Sequence, residues 1–292
     1  MLPSLLAILL LAAPGPDGPG PALPPAGAPT TTPTPPSTAR PVRPPPDPGQ
    51  PMPAPELPKD LAVAPWAPLE IDRCRDKLLA AGLDGSGFRF SKADWIMSRR
   101  QRGVDPIFCH VPQAVVVWKG PTGVSYYGFT FTTCAMALAM TRMERIAQEE
   151  ARRIFGRPEG ENPIRYISHL GTFNCRWLRH KVKQSQHSFG NGLDLAGFNI
   201  KGYGDVSVAR HWNPLYPAWQ KPSEFLQTLA RRLRDEQVFT NVLDPMSDEG
   251  HWNHIHVDMA PTSDGEPSPA LDRAKSMPAD LAGDPASLPP VP

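Results

Sequence analysis

The stretch Ser185-Gln186-His187-Ser188-Phe189-Gly190-Asn191-Gly192-Leu193-Asp194 decides how this chain is read. His187 and Asp194 stand seven residues apart. On one helix they would share a face yet lie about 10 Å apart along the axis, given a rise near 1.5 Å per residue. Gly190 and Gly192 break such a helix and let the chain double back, so both side chains can reach one point. Leu193 and Leu195 flank Asp194 at strand spacing, which places the carboxylate on the face opposite the two leucines.

A second stretch, His251-Trp252-Asn253-His254-Ile255-His256, completes the first. Ile255 to Met259 alternates like a strand, on which His254 and His256 would point to the same side. Together the two stretches offer one carboxylate and four imidazoles, in segments too glycine-rich or too short to be ordinary core. Nitrogen and oxygen donors that converge at about 2 Å are what zinc requires. The expectation is one open zinc site built on His187, Asp194 and the late histidines. On the residues alone, either His254 or His256 could be the third ligand.

Composition bounds the rest. Of 292 residues 39 are proline, and more than half of these precede residue 69. Such a segment lacks the apolar periodicity needed to offset chain entropy. It leaves one domain of ordinary size, expected over 69–262, with a Pro-rich tether at 14–68 and a disordered tail at 263–292. The apolar run Leu5–Ala13 is too short to span a bilayer and suits an export signal over 1–13, although no basic residue precedes Arg40. No other segment could span a membrane. With 30 basic and 29 acidic residues and no basic stripe, nucleic acid is not an expected partner. Four cysteines, Cys74, Cys109, Cys134 and Cys175, fit disulfides in an exported chain, in the periplasm or secreted. Sequence order favours Cys74 with Cys109 and Cys134 with Cys175, among three possible connectivities.

Between the ends, a helix is expected over Leu69–Ala81, stopped by Gly82. Short β-favouring runs follow in 83–130, such as Ala114–Trp118. Thr132 or Thr133 can cap a helix carrying Met136, Met140, Met143, Ala147 and Ile154 on one side and ending at Gly156. A strand is expected at Ile164–Leu170. A second amphipathic helix begins near Ser223, with Phe225, Leu226, Leu229 and Leu233 inward and Arg231, Arg232 and Arg234 as a solvated face. Without a repeating βαβ pattern, the fold class is α+β: a small antiparallel sheet flanked by helices.

These residues carry a family resemblance. Ser185-x-His187-x-x-Gly190-x-Gly192-x-Asp194 with the late His-x-His resembles the zinc D-alanyl-D-alanine carboxypeptidase, dipeptidase and murein endopeptidase group. That resemblance implies a zinc peptidase-like domain with His187, Asp194 and His256 as ligands. His254 matches a site-shaping histidine, His251 a histidine beside the metal, and Arg176 an arginine near it. Two departures stand out: Gly192 replaces the usual alanine, and Asn253 replaces the glutamate base of the dipeptidase branch. A closer similarity is to the bacterial extensin-like C-terminal domain family, over roughly residues 70 to 260. It rests on Cys134 opening a helix, Gly171-Thr172-Phe173-Asn174-Cys175-Arg176, the block from Ser185 to Phe198, Ser207-Val208-Ala209-Arg210 and His256-Val257-Asp258.

The resemblance implies a zinc-dependent peptidase acting on peptidoglycan peptides in the bacterial envelope. Three protein ligands leave a fourth position for water, as in catalytic zinc sites. His251, helped by His254, would move protons near neutral pH, and Arg176 would hold a substrate carboxylate or a developing oxyanion. The competing expectation is a zinc-containing domain that binds the wall or a protein without hydrolysis. A serine hydrolase is disfavoured, because neither Ser185 nor Ser188 lies in a Gly-x-Ser-x-Gly turn.

Overall fold

Thr133 starts the longest helix. In the computed structural model, which describes residues 71–91, 95–99, 107–111, 114–178, 184–261 and 268–277, its hydroxyl accepts the Met136 amide at the helix N-terminus. Gly156 closes that helix in the left-handed region at φ 64°, where a residue without Cβ is least strained. Met136, Met140, Met143, Ala147 and Ile154 are all buried, as their spacing predicts. The expected export segment and tether, over 1–68, lie outside the described residues.

In chain order the elements are α1 (Cys74–Ala80), β1 (Phe88–Phe90), β2 (Trp95–Arg99), β3 (Ile107–Val111), β4 (Val115–Lys119), β5 (Ser125–Thr132), α2 (Cys134–Phe155), β6 (Ile164–His169), β7 (Gly192–Ile200), β8 (Gly204–Ser207), α3 (Val208–His211), α4 (Gln220–Asp235), β9 (Asn241–Leu243), β10 (Ile255–Asp258) and α5 (Pro269–Ser276). Eight strands form one sheet in the order β1-β4-β5-β6-β7-β10-β9, with β8 also paired to β7, and β2–β3 form a separate ribbon. The fold is α+β, but the sheet is larger than expected and mixed. β5 and β6 run parallel, because α2 serves as the crossover that a parallel pair requires.

One face of the sheet meets the helices. Phe225, Leu226, Leu229 and Leu233 of α4 share a core with Met136 and Met140 of α2 and with Leu193, Leu195, Ile255 and Val257 from the strands. Burying each of these large side chains stabilises by about 1.5–3 kcal/mol. Arg231 of α4 is exposed, as expected, but Arg232 and Arg234 do more than face solvent. Arg232 bonds Glu149 and Glu150 of α2 as well as Glu236, and Arg234 pairs with Asp244. They tie α4 to its neighbours.

Two expectations are corrected. The disulfides join Cys74 to Cys134 and Cys109 to Cys175. α1 lies against the first turn of α2, and the β2–β3 ribbon lies against residues 173–177, neighbourhoods that sequence order does not reveal. The disorder expected over 263–292 does not hold for α5. Ser268 caps it, Pro269 opens it, and Ala270, Leu271 and Ala274 are buried.

Candidate metal centre

Gly190 decides where the first candidate donor, His187, stands. Ser185 starts a single 3₁₀ turn over Gln186–Phe189 by accepting the His187 amide, and Gly190 ends it at φ 62°. The turn is anchored from several sides. Asn174 N donates to His187 O at 3.0 Å, and Arg176 N donates to Ser188 Oγ at 3.0 Å. Asn191 is fully buried. It donates to Gln186 Oε1, accepts from Thr133 Oγ1, and its carbonyl takes the Met259 amide. The turn is thereby fixed to the start of α2 and the end of β10.

β7 and β10 supply the other two candidate donors. Leu193 and Leu195 turn into the core, so Asp194 faces the opposite side. Antiparallel pairing sets His256 directly across from Asp194. The three donor atoms converge. His187 Nε2 lies 3.1 Å from Asp194 Oδ1 and 3.2 Å from His256 Nδ1, and His256 Nδ1 lies 2.8 Å from Asp194 Oδ1. Zinc with bonds of about 2.0–2.1 Å in tetrahedral geometry needs ligand atoms about 3.3 Å apart. The observed triangle is slightly tighter and fits one face of that tetrahedron. Among the described residues, His187, Asp194 and His256 are the grouping able to hold a metal ion.

Asp258 shows which His256 nitrogen is available. Its Oδ2 lies 3.0 Å from His256 Nε2, while its Oδ1 accepts from Asn241 and from the Ala260 amide. His256 therefore donates from Nε2 and turns the Nδ1 lone pair toward Asp194, the outer-partner arrangement that orients metal-binding histidines. With that tautomer and no added proton or cation, the Nδ1 lone pair would face the Asp194 carboxylate. The proton balance reflects this. Burial pulls the His256 pKa down, but Asp194 and Asp258 outweigh it and push it up to about 9. Burial raises the Asp194 pKa, but hydrogen bonds from His187 and His256 outweigh it and hold the carboxyl far below the usual range. The cluster demands positive charge, supplied by a proton or by a metal ion.

The remaining predicted residues surround this trio unevenly. His254 Nε2 lies 3.4 Å from Asp194 Oδ1, and its Nδ1 lies 2.8 Å from Asn253 Oδ1. The Asn253 carbonyl fixes the proton on Nδ1 and leaves Nε2 as an acceptor beside the trio. Burial lowers the His254 pKa, partly opposed by Asp194. The His251 ring is 5.1 Å from that of His254 and 5.8 Å from that of His256, with Nδ1 2.9 Å from Asp248. Arg176 is brought next to the ligand turn through its main chain. The role of Asp258 escaped the sequence reading, although a two-residue strand spacing from His256 was the available signal. His169 was missed too: burial lowers its pKa against the pull of Asp194, and neither ring nitrogen finds a hydrogen-bond partner among the described residues.

Gly192 is explained by contact. A Cβ there would stand 3.2 Å from His256 Cε1 and 3.3 Å from His187 Nε2, so both imidazoles close over a residue that lacks one.

No curated protein and no solved structure matches the chain. The family model described as extensin-like protein C-terminus matches residues 87–266, a span that contains the turn, all three donors and Asp258. With more than half of its length matched, the chain belongs to the extensin-like C-terminal family.

Proposed function

We propose that the domain is a zinc-dependent peptidase acting on peptidoglycan stem or cross-link peptides outside the cytoplasm. The convergence of His187, Asp194 and His256, with Asp258 behind His256, carries the reading. Zinc on these residues would supply a polarised water and Lewis-acid activation of a carbonyl. His254, with Nδ1 against Asn253 and Nε2 beside the trio, is the residue best placed to take a proton. His251 would return it, and Arg176 would pair with a substrate carboxylate. Two buried disulfides fit an oxidising compartment. No helix among the described residues is long and apolar enough to cross a membrane.

Asn253 favours a second reading. It stands where the dipeptidase-like pattern has a glutamate base, and it binds His254 instead. A metal-stiffened domain that binds wall peptides without cutting them would tolerate that replacement. Incubating the full chain, zinc-loaded, with a panel of muropeptides and using His187→Ala as control separates the two. Zinc-dependent release of any stem or cross-link fragment supports the peptidase. Stoichiometric metal with no cleavage across the panel rules it out.

A further inference from the structure

The sheet face that carries the donors continues beyond them. Phe198 and Ile200 lie in the same helix-side core as Leu193 and Leu195. This is possible because Ala196 is an extra residue between the Gly197–Ser168 and Leu195–His169 pairs, a bulge that resets the alternation. Asp194 and Asn199 therefore share the opposite face. At the level of Asn199 that face holds Tyr166 and Asp205, each paired with Asn199. Tyr166 Oη and Asn199 Nδ2 both donate to Asp205 Oδ1, at 2.6 and 2.7 Å. Both bonds fall on one oxygen, which leaves Oδ2 as an acceptor. Tyr127, on the adjoining strand, is 75% exposed, its ring 6.5 Å from that of Tyr166.

An exposed flat ring beside a carboxylate and a carboxamide of fixed orientation matches one ligand chemistry. The ring offers a face for C–H groups, and the fixed polar atoms offer partners for hydroxyls. The Asp205 charge disfavours an anion, and a wholly apolar ligand would cover Asp205 Oδ2 without giving it a donor. A neutral polyhydroxyl ring uses all of them. The separation from the donors is informative as well. Five strand residues at about 3.3 Å each put this patch roughly 15 Å from Asp194. An extended peptide covers that distance with about four or five residues.

We infer that Tyr127, Tyr166, Asn199 and Asp205 form a saccharide subsite of the metal centre, which takes the sugar end of a sugar-linked peptide. The bond about four residues from the sugar then lies at His187, Asp194 and His256. The inference rests on the peptidase reading for its substrate class and selects the sugar-distal end of the stem over the bond next to the sugar.

The test compares binding of a free stem pentapeptide with that of the same pentapeptide on its disaccharide, using zinc-loaded full chain and calorimetry. Binding needs no turnover, so the subsite and the chemistry are judged separately. The disaccharide is expected to tighten binding about tenfold, the order expected for aromatic stacking with added hydrogen bonds. Tyr127→Ala and Asp205→Ala should each erase most of that gain and leave affinity for the free peptide unchanged. Both side chains are exposed, so folding is not at issue. A disaccharide gain below twofold, a gain that survives both variants, or failure of both ligands to bind would overturn the subsite. A disaccharide gain without cleavage would keep the subsite and remove the peptidase. Cleavage without a gain would do the reverse.

Discussion

Glu144 and Asp194 are carboxylates on opposite faces of one sheet, the first buried and the second partly so, and their surroundings differ in kind. Glu144, on the helix side, is fully buried. It accepts from the Thr122 amide, the Thr122 hydroxyl and the Tyr126 hydroxyl. All three donors are neutral, and burial raises the carboxyl pKa. Among the described residues, the Asp194 carboxylate meets imidazole nitrogens, and its pKa is driven the other way. Neutral donors that saturate a carboxylate make a structural clamp, here one that holds the β4–β5 turn to α2. A carboxylate that meets imidazole nitrogens instead can share a cation with them. One carboxylate closes a fold, and the other belongs to the proposed metal site.

The comparison can be broken most sharply at the donors. His187→Ala should weaken zinc binding by more than about a hundredfold, beyond what loss of an outer partner costs. Competition with a chromophoric chelator measures it. Glu144→Ala should do the opposite. It should lower unfolding free energy by about 3 kcal/mol, through a cavity and stranded donors, and leave zinc affinity unchanged. Denaturant titration and the same chelator assay check both halves, and equal zinc loss in the two variants would erase the distinction.

Acidity sharpens it further. His256 has a folded pKa raised to about 9, so its contribution is fully present below its unfolded value and is lost as pH rises through 9. Metal-free protein should lose on the order of 3 kcal/mol between pH 6.5 and 9.5 from this group. Zinc-loaded protein should not, because the metal replaces that proton. Thermal melts with and without chelator across this range decide it. Asp258→Ala should cost about 10- to 100-fold in zinc affinity, the range for a partner that orients a ligand. The smallest effect belongs to Gly192→Ala. Its Cβ would press on both imidazoles, and a shift of a few tenths of an ångström should cost about 1 kcal/mol, the low end for overpacking.

Much of this architecture was legible in the residues. α2 could be read because Thr133, a helical methionine spacing and Gly156 agree with one another. That Asp194 and the late histidines face one region was read from two strand patterns and the glycines before the first, whereas His256 rather than His254 came from the family resemblance. Other features depend on neighbours that no local pattern encodes. The disulfide partners meet only once α1 lies on α2 and the β2–β3 ribbon reaches Cys175. β1 and β9, three residues each, are too short to display a period, so the sheet was expected to be smaller. α5 was hidden by the polar, proline-rich composition around Ala270, Leu271 and Ala274. Asp258 was visible as a strand residue, but its bond to His256 belongs to the folded site.

The central claim is that His187, Asp194 and His256 hold one zinc ion. Metal analysis of the purified full chain combined with zinc X-ray absorption tests it most directly. The account predicts one zinc per chain, bound by nitrogen and oxygen only, at about 2.0–2.1 Å, and lost in His187→Ala. Substoichiometric zinc that survives in His187→Ala, or a sulfur-bound ion, would contradict it.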